Sequence, residues 1–236
     1  MSDVATTFHE AYGKAVATLV RVFGDISLAE DAVRLAREVV ALMPDEPEAI
    51  GLLALMLLSE SRAAARWASG DIVLLQHQDR SRWDQSLIGA GQRLVLAGLR
   101  HPHPGPLLLQ AAIQGIHCAA ASYADTDWAA ILRFYDRLMI RAPTPVVALN
   151  RAIALGETSG PRAALTALDS ITGQLDDYHL LHAARACMLE RVGRADEAGT
   201  AYARAIELAP TETERTLLAR RRTDFALGRR TRQPNA

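Results

Sequence analysis

The residues of this 236-residue chain best able to do chemistry are its histidines and its two cysteines. His101 and His103 sit in His-Pro-His-Pro-Gly-Pro, and His117 precedes Cys118. His179 and His182 stand three apart, a spacing that can share one helix face. A zinc site needs three or four such ligands converging at recognisable spacing. The chain has no Cys-x-x-Cys and no His-Glu-x-x-His, and no carboxylate is placed to complete a set, so no metal is expected. His-Pro-His-Pro-Gly-Pro reads instead as a rigid loop between helices, since proline restricts both itself and the residue before it. Cys118 and Cys187 lie inside apolar helical patterns and read as buried free thiols. No Gly-x-Ser-x-Gly, Gly-x-x-x-x-Gly-Lys or Gly-x-Gly-x-x-Gly sequence supplies a nucleophile elbow or a phosphate cradle. The reading at this point is a protein without catalytic residues and without a cofactor.

The least ordinary local sequence is Gln78-Asp-Arg-Ser-Arg-Trp-Asp84, an indole among alternating charges just before the stretch Leu87 to Leu99. It admits two readings. Asp79, Arg80, Arg82 and Trp83 can form an exposed recognition patch, because Trp and Arg dominate interface hot spots. Alternatively, Trp83 packs under a loop as an internal lock while Asp79 or Ser81 caps the next helix. These four residues, with Asn150, His179 and His182, are the candidate partner-binding residues. The C-terminus is basic, with Arg215, Arg220, Arg221, Arg222, Arg229, Arg230 and Arg232. Such residues complement the negative end of a helix dipole, or contact nucleic acid or an acidic partner.

The elements that would carry these residues are helices. Half of the chain is hydrophobic but only 5% is aromatic, and the apolar content is rich in Ala and Leu, which favour closely packed helices. A net charge of −1 is not the footprint of a protein that coats nucleic acid. The first residues, Met-Ser-Asp-Val-Ala-Thr-Thr-Phe-His-Glu, contain acids and no apolar segment of the signal-peptide kind. The longest apolar run, Ala49 to Leu58, is about half the length a membrane span needs. A cytoplasmic protein with no membrane partner is the expectation.

Helix punctuation is dense. Gly24 can cap one helix in the left-handed conformation, and Ser27-Leu-Ala-Glu30 has the spacing of a capping box. Thr211-Glu-Thr-Glu214 repeats that signature, while Thr144-Pro145 and Gly160-Pro161 place proline at a first helical position. Ile131, Phe134, Tyr135, Leu138 and Met139 form one helical stripe, as do Leu165, Leu168 and Ile171. Between Ala68 and Arg82 a short extended piece is expected. In residues 179–210, Gly193, Ala198, Tyr202, Ala205 and Pro210 match tetratricopeptide spacing: a turn glycine, small residues where helices touch, an aromatic filling the gap, and a stop. Arg185 departs from the pattern, standing where such a repeat prefers leucine. Pro143 and Pro210 lie 67 residues apart, close to two periods of about 34. The predicted fold is all-α, an array of stacked antiparallel helix pairs of the tetratricopeptide-like kind.

Longer stretches carry a family resemblance. Val16 to Val33, with Asp25, Ala29, Glu30, Asp31 and Ala32, resembles the opening of region 2 in bacterial extracytoplasmic-function sigma factors. Leu42-Met-Pro-Asp-Glu-Pro-Glu48, Gly51 to Leu58, Gln78 to Asp84, Thr126-Asp-Trp128, Pro145 to Ala152 (which includes Asn150) and Tyr178 to Arg185 then follow in order. Together they resemble the C-terminal tetratricopeptide-like extension of one subgroup of those factors. The resemblance implies three segments: a remnant of region 2 over residues 1–33, the helical extension over 34–228, and a basic tail over 229–236. It departs from the family between Val33 and Arg34, where the rest of region 2, a linker and region 4 belong, so no promoter-reading residue carries over. The implied function is a sigma-factor-related transcription protein whose helical extension binds a protein partner and regulates sigma activity. That partner would be the sigma core, RNA polymerase or a regulator, with DNA reached only through the missing regions. The alternative is a free-standing helical-repeat adaptor with no role in transcription.

Overall fold

The computed structural model describes the backbone of residues 26–232 apart from Ser69, and side chains between residues 31 and 227. The Gly24 cap and the start of the region 2 resemblance lie outside these residues. Among the described residues the chain forms ten α-helices: α1 (Ile26–Leu42), α2 (Pro47–Glu60), α3 (Gln85–Gly98), α4 (Pro106–Ala119), α5 (Trp128–Arg141), α6 (Pro145–Ser159), α7 (Pro161–Leu175), α8 (His179–Arg191), α9 (Ala195–Leu208) and α10 (Glu212–Arg232). The extended piece between Ala68 and Arg82 is a small antiparallel hairpin, β1 (Trp67–Ala68) and β2 (Asp71–Ile72), followed by two short 3-10 turns. Helix α1 runs unbroken through Val33 and Arg34, and the expected Ser27–Glu30 capping box falls on side chains outside the described residues. Helix α10 continues past residue 228 to Arg232.

The chain divides into two compact units, one of residues 1–65 and 79–119, the other of residues 66–78 and 120–236. In the first, α2 is apolar on nearly every side, as a helix surrounded by neighbours must be: Ala49, Ile50, Leu53, Ala54, Met56, Leu57 and Leu58 are all buried. Helix α4 crosses α2 so closely that a Cβ added at Gly51 would come within 2.5 Å of the Leu108 backbone nitrogen, which leaves room for hydrogen alone. Glu48, in the first turn of α2, reaches over to the start of α4. There its carboxylate accepts from the backbone N–H groups of Leu107 at 3.2 Å and Leu108 at 3.4 Å. A helix start leaves such donors unsatisfied, and a carboxylate suits the positive end of the dipole.

The second unit repeats one device. Helices α6 and α7 pair, as do α8 and α9, and each joint is very short. Gly160 (φ +89°) is both the last cap of α6 and the first of α7, with Pro161 at the first helical position. Gly193 (φ +77°) turns α8 into α9. Ala198, Tyr202 and Ala205 are fully buried at the heart of a core shared with Leu149, Leu168, Leu181 and Leu189. Thr144 caps α6 through the Val147 N–H at 3.2 Å. Thr211 and Glu214 form a reciprocal box: Thr211 Oγ1 accepts from Glu214 N, and Glu214 Oε2 accepts from Thr211 N, both at 3.2 Å. The stripes also lie inward, with Ile131, Leu138, Leu165, Leu168 and Ile171 buried and Phe134, Tyr135 and Met139 half-buried.

Candidate functional site

The seven candidate residues fall into two sets. Asp79, Arg80, Arg82 and Trp83 belong to the first unit; Asn150, His179 and His182 belong to the second.

Around Trp83 the chain ties a knot. Asp79 accepts from the backbone N–H of Ser81 at 3.0 Å and from its hydroxyl at 2.7 Å, which starts a 3-10 turn over Arg80–Arg82. That turn drives Trp83 inward, to 3% exposure, so Trp83 is no surface contact. Immediately after it, the Asp84 N–H donates to the Ser61 carbonyl at 2.8 Å, and the Asp84 carboxylate caps α3 through Ser86 and Leu87. Two guanidinium groups lie over the indole, Arg80 at 4.4 Å from the ring centroid and Arg62 at 5.9 Å. Both also reach α4: Arg80 Nη1 donates to the His117 carbonyl at 2.7 Å and Arg62 Nη2 to Gln114 Oε1 at 2.6 Å. Burial, reinforced by the positive charges of Arg62 and Arg80, pulls the His117 imidazole down to about 4, so it is neutral at physiological pH. The indole N–H is buried without a hydrogen-bond partner among the described residues, so the site holds Trp83 by its faces rather than by its polar edge. Arg82, by contrast, is exposed. Cys118, next to His117, is buried against Ser61 and Leu58; Cys187 is only half-buried.

In the second unit His179 and His182 are both buried on α8, but each serves a different neighbour. His182 Nε2 donates to the Asp176 carbonyl at 2.7 Å, closing the joint between α7 and α8. His179 stacks edge-on against Tyr178 and lies 3.5 Å from Glu214, the acid of the α10 capping box. Among the described residues no three His, Cys, Asp or Glu side chains are grouped as metal ligands. Asn150 is half-buried on α6.

Ion pairs that arginines make between helices, which the sequence reading did not foresee, prove the more informative feature. Arg185 bonds Asp169 at 2.6 Å and Thr172 at 2.9 Å on α7. Arg151 of α6 reaches back to Asp136 of α5 at 2.7 Å, and Arg191 of α8 to Glu157 of α6 at 2.8 Å. Arg185 therefore does by ion pairing what a repeat leucine does by packing. Between α8 and α9 an open groove of about 460 Å³ is lined by His182, Arg185, Leu189, Glu197, Ala201 and Arg204. It offers an apolar floor between charged walls, the pattern of a site that holds a side chain and fixes its orientation with a few polar groups. These pairs join residues 15, 16 and 34 positions apart on different helices, where no local signature exposes them.

Comparison with other proteins fits this picture. Residues 4–98 match the model of a family of unknown function, DUF6596. The chain is 39% identical over 216 residues to the uncharacterized protein R00370 of Rhizobium meliloti (strain 1021). That alignment covers 91% of this chain and 51% of the relative, so the chain spans about half the length of the curated relative it matches. Among solved structures it is similar to TTC0263, a thermophilic TPR protein of Thermus thermophilus. The TM-score is 0.56 at 20% identity, over 89% of this chain and 96% of that one. The fold is a tetratricopeptide-like helical array, and among the described residues no helix is long and apolar enough to cross a membrane.

Proposed function

We propose that this chain is a sigma-factor-related transcription protein whose helical extension works by docking a protein partner rather than by catalysis, and so regulates sigma activity. The observation that carries the binding reading is the open groove on α8 and α9, framed by Arg185, Glu197 and Arg204 on a scaffold of stacked pairs. Its chemistry suits a peptide or helix that brings an apolar side chain flanked by charge. Support for the transcription reading comes from the ordered sequence resemblances over most of residues 34–226. The chain would bind the sigma core, RNA polymerase or a regulator, and would read no promoter itself. Base readout needs an element seated in a groove of the duplex, and the residues that would supply it in the family have no counterpart between Val33 and Arg34.

Run-off transcription tests both halves. The chain with core polymerase and a cognate promoter should give no promoter-specific transcript. Added to a separately expressed sigma core, it should change that core's output, and the double change Arg185→Glu with Arg204→Glu should abolish the effect. Promoter-specific transcripts from the chain alone would refute the regulatory reading. Absence of any binding to sigma core or polymerase would leave the free-standing adaptor.

A further inference from the structure

Helix α1 carries two apolar stripes. Val33, Ala36 and Val40, at i, i+3 and i+7, share a core with Leu53, Met56 and Leu57 of α2. Leu35, Val39 and Leu42, at i, i+4 and i+7, form a second stripe roughly a third of a turn further round the helix. This second stripe lies open: Leu35 is 61% exposed and Leu42 83%, with Val39 half-buried between them. A surface helix needs one apolar stripe, and a second is the mark of a second neighbour. The sequence just ahead of α1 supplies a matching stripe. Phe8, Tyr12, Ala15, Val16, Leu19 and Phe23 recur at helical spacing, while Glu10, Lys14 and Arg21 fall on the opposite side of the same helical wheel. As a helix, Phe8 to Phe23 spans about 24 Å, and the 17 residues of α1 span about 25 Å. Only Gly24 and Asp25 separate this segment from Ile26, and joints so short make antiparallel neighbours. The family match opens at residue 4, ahead of the segment, and closes at residue 98, the end of α3.

We infer that residues 8–23 are the occupant of this open face: they form an amphipathic helix that folds back at Gly24–Asp25 and lies antiparallel along Leu35, Val39 and Leu42. Positions equally far from the turn then face each other. Phe8 comes opposite Leu42, Tyr12 opposite Val39 and Val16 opposite Leu35, so three steps of both stripes coincide in one register. Glu10, Lys14 and Arg21 stay on the solvent side. The tether favours this occupant over any separate molecule, because a segment two residues away is held at an effective concentration of about millimolar or more. The stretch that resembles region 2 thereby becomes a packing partner of the first unit, and the boundary between Val33 and Arg34 divides nothing in the fold. The inference concerns a different surface from the α8–α9 groove and does not depend on the transcription reading.

The test uses the full chain. Cys187→Ala leaves the buried Cys118 as the one native thiol, a gauge of whether the first unit stays folded. In that background, Tyr12→Cys with Val39→Cys should be joined within one chain by a short bis-maleimide, and Lys14→Cys with Val39→Cys should not, as read by mass spectrometry. Leu42→Cys should react with a maleimide at least about ten-fold more slowly than Arg100→Cys, an exposed position just after α3. Tyr12→Asp with Leu19→Asp should raise Leu42→Cys to the Arg100→Cys rate while Cys118 stays unreacted. If Cys118 reacts as well, that variant has unfolded, and the cross-linking pairs, which need no such disruption, decide. Equal rates for Leu42→Cys and Arg100→Cys in the undisturbed chain would overturn the inference, as would equal cross-linking from Lys14→Cys. Cross-links formed only between chains, and rising with protein concentration, would give the face to a second copy and overturn it too.

Discussion

The two units are built from the same helices but joined in different ways. The first relies on side chains that reach a long way to a backbone group: Glu48 to the start of α4, Arg80 to the His117 carbonyl. The second relies on repetition, with short joints, alanines at helix contacts, a buried tyrosine, and arginines that each reach back to an earlier helix. A knot concentrates its dependence in few residues, whereas a repeat distributes it. Single substitutions should therefore be costlier at the centre of the first unit than at equivalent depth in the second.

The sharpest test is Trp83→Ala. Truncating an aromatic that is 3% exposed and covered by two guanidiniums should cost about 3–5 kcal/mol in chemical denaturation. An unchanged midpoint would mean that the knot carries no special load. The pH response should come next. His117 is held down to about 4 when folded and returns towards 6.5 when unfolded, so between these values the unfolded chain binds the extra proton. Stability is therefore full above about 6.5 and falls as pH drops towards 4, by at most about 3 kcal/mol from this group. His117→Gln should flatten that slope over the same window, and an identical slope would show that other groups set it.

In the second unit, Ala198→Leu and Ala205→Leu each place extra volume at a fully buried contact and should cost about 1–3 kcal/mol. If both melts match the parent, the contact is looser than the burial implies. Smallest should be Glu48→Gln, which keeps the shape but removes the charge from two bonds at the start of α4, for a loss of about 1 kcal/mol. As a contrast, Arg194→Ala breaks a surface pair with Glu197, both side chains more than half exposed, and should leave the melting midpoint where it was.

The repeated unit was the legible one. Gly193, Ala198, Tyr202, Ala205, the Thr211–Glu214 box and the prolines at 145 and 161 announce themselves because each acts on residues within a turn or two of itself. The knot was half legible. Asp79, Asp84 and Trp83 stood out by type, but nothing near them in the chain indicates that Arg62 and His117 complete the cluster, because those partners come from other helices. His179 and His182 drew attention as a pair, yet side chains three apart on a helix still diverge enough to serve α10 and the α7 joint separately. Arg185 looked like a fault in the repeat because its partner, Asp169, lies on a helix that no repeat pattern links to it.

The hairpin and the helix that covers it are made at very different times. Asp71 and the aliphatic residues after it leave the ribosome long before Arg220, 149 positions later, so the surface that covers them does not yet exist while α3 to α9 are being synthesised. Proteins are made at about 5–20 residues per second. For roughly ten to thirty seconds, therefore, Ile72-Val73-Leu74-Leu75 is an aliphatic segment with no native cover from α10. In that interval it is a handle for chaperones and a liability for aggregation, and any transcript truncated before α10 leaves it permanently exposed.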